Sequence, residues 1–114
     1  MIKLSKEQVA KFIDAEDEAY VTQIRQRILA EHSESVENES EHSLHKRLKK
    51  TYLDLIVMRF KDEALIRSYL YFVAFNRDFH GSSEIQNMLN AGDSPEQQYR
   101  DYLQVMENLL NRRN

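Results

Sequence analysis

The sequence predicts an all-α protein, a compact bundle of four long helices and one short helix that forms a single domain over residues 1–114. The 114 residues include only 2 glycines and 1 proline, which disfavours a turn-rich β architecture. Hydrophobic residues make up 41% of the chain and charged residues 31%, a balance typical of a globular domain. Apolar residues recur at three- and four-residue steps in several segments, which is the helical period.

The first helix is expected from Ser5 to about Glu31. Ser5 and Gln8 match a capping box, in which the serine hydroxyl accepts from the third helical amide. One apolar stripe follows: Val9, Phe12, Ile13, Tyr20, Ile24 and Ile28. Residues 32–43 (HSESVENESEHS) then show no period, and Val36 is their only aliphatic residue. We therefore expect a mobile acidic loop at about 32–43.

The second helix is expected over residues 44–59, and Asp62 is placed to cap a third helix from Glu63 to about Arg77. The second half of helix 3 leaves almost no polar face. This is typical of a helix at the centre of a bundle or docked on a partner, and we expect helix 3 to be central. Gly81, just beyond this helix, favours a left-handed stop.

Two serine-led starts predict the remaining helices. Ser83, with Gln86 three residues later, predicts a short fourth helix that ends near Gly92. Residues 94–97 (SPEQ) combine a cap residue, proline at the first helical position and glutamine at the third, and so predict a fifth helix. Its apolar series continues towards the end of the chain: Tyr99, Tyr102, Leu103, Met106, Leu109 and Leu110.

Charge and hydropathy narrow the class of partner. The net charge of −3 and the sequence pI of about 5.8 argue against binding of a phosphate backbone. The chain has no cysteine, so disulfides and thiolate chemistry are excluded. The longest apolar run, residues 69–75, is far too short to span a bilayer, and the first residues lack a secretory signal pattern. We expect a cytoplasmic protein that binds neither nucleic acid nor membrane; its oligomeric state is not set by the sequence.

The stretch FNRDFHG, residues 75–81, has the residue types of an active site. Arg77, Asp78 and His80 suit acid–base or phosphate chemistry. They lie at a helix end, however, where charged side chains are readily solvated and an arginine complements the helix dipole. We interpret the stretch as the structural end of helix 3, with Phe79 turned back onto the core. Replacing His80 by alanine is then expected to change little.

Metal binding is the next candidate chemistry. His42 and His45 lie three residues apart, with His32, Glu39 and Glu41 nearby, and imidazole and carboxylate groups are zinc ligands. The pair is not part of an HExxH motif and borders a loop expected to be mobile, so surface histidines are the favoured interpretation.

The remaining motifs also give no chemistry. The basic run at residues 46–50 (KRLKK) reads as a solvated helix face, with an acidic protein partner as the functional alternative. No P-loop, nucleophile elbow or dinucleotide fingerprint occurs. We predict that the chain is not an enzyme and has no catalytic residue, cofactor or metal.

Because no catalytic motif occurs in the sequence, we expect the function to depend on a binding surface. The chain has 6 tyrosines and 5 phenylalanines, and tyrosine is favoured at protein interfaces. A small bundle is not expected to hide all of them. The predicted partner-binding residues, for which core packing is the competing interpretation, are Tyr69, Tyr71, Phe72, Phe75, Tyr99 and Tyr102.

Four stretches, taken in order, carry a resemblance: LSKEQ (residues 4–8), LAEH (29–32), residues 59–79 ending in an Asp-Phe pair, and SPEQQYRDYL (94–103). Their succession resembles small all-helical accessory proteins encoded beside type VI secretion effector and spike genes. The resemblance implies a non-enzymatic co-chaperone or adaptor that stabilises a secreted effector, or the effector's chaperone, before loading onto the secretion spike. It places the partner face on helices 3 and 5. The alternative is an immunity protein that neutralises a cognate toxin by direct binding, with residues 34–42 as its acidic surface.

Overall fold

The computed structural model describes the backbone of residues 6–36 and 38–112 and, except at residue 35, the side chains from residue 17 onward. Within these residues the chain forms five α-helices, one 3-10 turn and no strand. The elements are α1 (Lys6–His32), the 3-10 turn (Ser33–Val36), α2 (Glu41–Val57), α3 (Glu63–Phe75), α4 (Ser83–Leu89) and α5 (Pro95–Arg112). The predicted all-α bundle of four long helices and one short helix is confirmed.

Helix α3 is central because it packs on α1, α2 and α5. Its side chains Tyr69, Leu70 and Val73 are at most 2% exposed. Aliphatic residues of α1 and α2 complete this part of the core: Val21, Ile24, Ile28, Leu44, Leu48 and Leu55. Removal of this apolar surface from water is the main stabilising contribution, at roughly 25 cal/mol per Å².

The start signals of α3 and α5 are confirmed. The carboxylate of Asp62 accepts from the amides of Ala64 (3.0 Å) and Leu65 (3.4 Å). The hydroxyl of Ser94 accepts from the amide of Gln97 at 3.2 Å. At α4 the cap is Ser82 rather than Ser83, with its hydroxyl accepting from Ile85 at 3.2 Å. The predicted cap at Ser5 lies outside the described residues.

The acidic loop is shorter than predicted. Helix α2 begins at Glu41, three residues before the predicted start, because the hydroxyl of Ser40 accepts from the amide of Ser43 at 3.1 Å and caps the helix. Val36 is only 5% exposed and packs in the core. A single aliphatic residue leaves no period in a polar stretch, yet it anchors the link between α1 and α2 to the body of the protein.

The left-handed residue predicted at Gly81 lies elsewhere. Neither described glycine has a positive φ, whereas Arg59, after α2, has φ 68°. The amide of Arg59 donates to the carbonyl of Ile56, and that of Phe60 to the carbonyl of Leu55, both at 3.0 Å. This is a Schellman motif, and the residues at its two ends, Leu55 and Phe60, are both buried in the core. The position was missed because the usual glycine is replaced by arginine.

Replacing Arg59 by glycine is expected to raise the free energy of unfolding by up to about 1 kcal/mol, since glycine adopts the left-handed conformation without the steric cost of a Cβ. Gly81→Ala is the matched control. A Cβ at Gly81 meets nothing within 4 Å, so the change is expected to be neutral or to stabilise by about 0.4–1 kcal/mol. Urea unfolding of both variants tests the assignment; a clear loss of stability in Gly81→Ala with none of the expected gain in Arg59→Gly would contradict it.

Candidate functional site

The six predicted partner-binding residues divide by exposure. Tyr69 and Tyr99 are 0% exposed, with ring centroids 5.1 Å apart in the core. Burial therefore takes these two residues out of the predicted partner face. Phe72 and Phe75 are 36% and 42% exposed, and Tyr71 and Tyr102 are half-buried. Periodicity placed all six on helices 3 and 5, but which faces the neighbouring helices cover depends on tertiary packing.

The exposed end of α3 borders a cavity, which we call the α3 cleft. It has a volume of about 380 Å³ and is lined by Val36, Asn38, Glu39, Ala74, Phe75 and Arg77. The ring of Phe75 forms one wall and makes an edge contact with His32, with centroids 5.2 Å apart. Arg77 is exposed at the rim, 3.5 Å from the carbonyl of Asn38.

Inside the α3 cleft, the negative charge of the Glu39 carboxylate is neutralised by Arg47 of α2. Its guanidinium donates to both carboxylate oxygens of Glu39, at 2.6 and 2.8 Å. It also donates to the carbonyls of Val73 (2.5 Å) and Ala74 (3.3 Å), which lie in the last turn of α3. A cation here complements the α3 dipole and satisfies carbonyls that the helix leaves without an amide donor. The hydrogen bond from Arg47 lowers the pKa of Glu39 below its ordinary value of 4.5.

This role of Arg47 was missed because the residue stands in the basic run read as a solvated face. A local signal was present: Arg47 lies three residues after Leu44 and directly before Leu48, at the edge of the apolar side of α2. The bonds themselves join positions up to 27 residues apart, and no local pattern predicts them.

The second exposed apolar surface is on α5, and we call it the α5 apolar face. It consists of Val105, Met106, Leu109 and Leu110, which are 57%, 39%, 51% and 60% exposed. Earlier in the helix, Tyr99 is buried and Tyr102 and Leu103 pack against the core. The α5 apolar face continues this stripe past the end of the body, where no described residue covers it. At 100° per residue, its four side chains span an arc of about 140°.

The structure places the polar residues of FNRDFHG in different surroundings. Arg77 and Asp78 are exposed, whereas Phe79 is 8% exposed and turns onto the core as predicted. His80 lies in a different setting: its Nε2 donates to the carboxylate of Asp54 at 3.0 Å, and its Nδ1 is 2.6 Å from the hydroxyl of Tyr69.

The order Tyr69–His80–Asp54 resembles a catalytic triad, but the geometry favours a structural role. Burial raises the pKa of Tyr69 above its ordinary value of 10, with Tyr99 and Asp54 adding to the effect, so the hydroxyl keeps its proton at neutral pH. Tyr69 is 0% exposed, so its hydroxyl is not presented at the surface. With Nε2 donating to Asp54, Nδ1 of His80 accepts a hydrogen bond from the Tyr69 hydroxyl, and the imidazole joins α2 to α3.

These bonds argue against the expectation that His80→Ala changes little. The substitution leaves the buried Tyr69 hydroxyl without its acceptor, which is expected to lower the free energy of unfolding by about 1–3 kcal/mol. In a Tyr69→Phe background the same substitution is expected to cost less, so a double-mutant cycle by urea unfolding measures the coupling. His42→Ala, at an exposed histidine, is the control. Additive effects of His80→Ala and Tyr69→Phe would contradict the assignment.

His42 and His45, which were considered as metal ligands, lie in different surroundings. His42 is exposed, while His45 accepts from Arg25 at Nδ1 (3.1 Å) and donates from Nε2 to Glu18 (2.8 Å). The bond from Lys49, followed by that from His45, lowers the pKa of Glu18. In the described part of the chain, no group of three histidine, cysteine, aspartate or glutamate side chains is placed to hold a metal ion.

No protein-family model, curated protein or solved structure matches this chain. Among the described helices, none combines the length and apolar character needed to cross a membrane.

Proposed function

We propose that the chain is a non-enzymatic protein-binding module that acts through the α5 apolar face. The observation that carries this proposal is the 39–60% exposure of four aliphatic side chains on one face of a helix. Large contiguous apolar patches on the surface of a monomer commonly mark interaction sites. Covering this patch with a partner is favourable by roughly 25 cal/mol for each Å² removed from water.

The width of the α5 apolar face indicates what kind of surface receives it. An arc of about 140° is broader than the narrow seam of a two-stranded coiled coil and is typical of a helix with neighbours on both sides. Met106, Leu109 and Leu110 have the i, i+3, i+4 spacing of anchors on a helix that binds in an apolar groove. We propose that the partner supplies such a groove.

Within this class, the role we propose is that of a cytoplasmic co-chaperone or adaptor for a type VI secretion effector or the effector's chaperone. Two points support it: the all-α fold that the resemblance implies, and an exposed apolar face on helix 5, one of the two helices to which the resemblance assigns partner binding. By covering the α5 apolar face, the effector or chaperone would hide apolar surface of both proteins before loading.

The alternative is an immunity protein that uses its acidic segment against a toxin. Glu31 and Glu34 are exposed, which favours this candidate. Glu39 and Glu41 form ion pairs with Arg47 and Arg25 respectively, so part of the acidic charge is already neutralised within the fold. The α5 apolar face is therefore the better-supported binding surface.

The test is co-expression with the products of the neighbouring genes, followed by affinity purification of the proposed effector or chaperone. Met106→Glu places a charge in the α5 apolar face and is expected to reduce recovery of the effector by about tenfold or more. Gln104→Glu adds the same charge on the opposite side of the helix, where Gln104 is exposed, and is expected to leave recovery unchanged. Equal recovery with both variants would refute the proposed site.

A toxicity assay separates the two candidate roles. An immunity protein restores growth of cells that express the active toxin, and that rescue is expected to survive Met106→Glu if the acidic segment is the binding surface. A co-chaperone raises the level or export of the effector without neutralising it, and Met106→Glu is expected to abolish that increase.

A further inference from the structure

We infer that, in the absence of another partner, the α5 apolar face pairs with the same face of a second copy of this chain, with the two α5 helices antiparallel. The face is the one used in the proposed function, so self-pairing withholds it from that partner. The pairing itself requires only this chain and holds whatever the partner is.

The centre of the pairing follows from the positions of Met106 and Leu109. A two-fold axis between residues 107 and 108 places Met106 of one helix against Leu109 of the second copy, and the symmetry repeats that contact. Along one flank of the helix pair, the same register sets Leu110 beside the half-buried Leu103 of the second copy. Each of these three exposed side chains thus has an aliphatic neighbour.

The other flank of the helix pair is complementary in charge. Asp101 and Val105 are four residues apart and lie on the same side of α5. The antiparallel register brings Arg112 of the second copy between them, its aliphatic stem over Val105 and its guanidinium towards Asp101. In a parallel two-fold pair, Asp101 and Arg112 of one helix lie on the opposite flank from those of the second copy, so this charge pair does not form. Exposed ion pairs add little affinity, but the pairing of opposite charges favours the antiparallel orientation, and antiparallel helix dipoles favour the same orientation.

The body of the protein limits the length of the contact. Tyr99 is buried and Tyr102 is packed on the core, so the apolar contact with a second helix starts only at about Leu103. Asp101, which is exposed on the flank of α5, is reached only by the long side chain of Arg112. Residues 104–112 form about 13 Å of helix. The apolar surface that this length offers from the two copies together falls short of the roughly 1,200 Å² that a stable interface buries in total. Self-pairing is therefore weak and reversible, which suits a face that has to be released to a partner.

The first experiment is sedimentation analysis of the purified chain from about 5 to about 500 µM, a range that brackets weak interfaces. We expect monomer at the low end and dimer at the high end. Met106→Glu is expected to weaken dimerisation by about tenfold or more, and the matched Gln104→Glu to leave it unchanged. A monomer throughout the range, or a dimer equally stable in both variants, would overturn the inference. Circular dichroism of both variants confirms that the fold is intact.

The second experiment tests orientation and uses the absence of cysteine from the chain. Asp101→Cys and Arg112→Cys are prepared separately at these exposed positions and treated with a short bis-maleimide. A mixture of the two variants is expected to cross-link several-fold faster than either variant alone, because only an antiparallel pair brings the two positions together. Faster cross-linking of Asp101→Cys with itself would overturn the antiparallel arrangement. Neither result alters the effector-recovery assay, so the two proposals fail separately.

Discussion

Phe79→Ala is expected to lower the free energy of unfolding by about 3–5 kcal/mol, which makes it the most damaging of the single substitutions considered. Phe79 is 8% exposed, and its ring centroid lies 5.1 Å from that of Tyr69 and 5.2 Å from that of Phe72. Tyr69 is held in place by its bond to His80, so it is not free to move into the space left by the missing ring. The result is a cavity in addition to the lost burial, measured by urea unfolding.

Phe75→Ala is the matched control because it removes the same atoms from a ring that is 42% exposed. The transfer cost is smaller and water fills the space, so a loss of about 1 kcal/mol is expected. If both substitutions cost the same, Phe79 does not have the packing role described. The comparison also distinguishes the buried ring that follows α3 from the exposed ring that lines the α3 cleft.

Arg47→Met is expected to have the second largest effect, a loss of about 2–4 kcal/mol. It leaves the carboxylate of Glu39, whose side chain is 4% exposed, without its ion pair, and it removes the donor to two carbonyls of α3. Methionine keeps much of the aliphatic stem, so the loss reports mainly on charge and hydrogen bonds. Arg100→Met is the control: that arginine is 3.6 Å from Asp62 at an exposed site, and a change within about 0.5 kcal/mol is expected.

The Arg47–Glu39 pair also gives a pH dependence with a definite sign. Because the pKa of Glu39 is lowered in the folded state, the pair contributes stability above the unfolded value of 4.5, and this contribution is lost as the pH falls through the folded value. The stability difference between the original chain and Arg47→Met is therefore expected to shrink progressively below about pH 4.5. A difference that stays constant from neutral pH to well below that value would contradict the assignment.

Local signals predicted the helices well where a cap lies next to the helix it starts. Asp62 and Ser94 cap α3 and α5 through amides two or three residues away, so their effect is visible in a short stretch of sequence. The left-handed conformation of Arg59 was not predictable in this way. It follows from the packing of Leu55 and Phe60 in the core, which outweighs the local preference for glycine.

The candidate site was predicted only in outline. The periodic pattern placed apolar residues along α3 and α5, but burial depends on which helices meet, and Tyr69 and Tyr99 lie in the core while Met106 and Leu109 lie outside it. The bond between His80 and Asp54 joins positions 26 residues apart and has no local signature. Because aromatic residues are enriched at interfaces, the sequence prediction favoured aromatic positions over the aliphatic ones at the end of α5.

The position of the α5 apolar face on the outer turns of a helix has a consequence for its local stability. Residues 104–112 are exposed in the described structure, so their helical hydrogen bonds depend on the helix itself rather than on tertiary packing. Amides in these turns should exchange with solvent through local fraying, at a free energy far below that of global unfolding. A partner that covers the α5 apolar face must first stop this fraying. Slowed amide exchange confined to the last turns would therefore report its arrival, residue by residue.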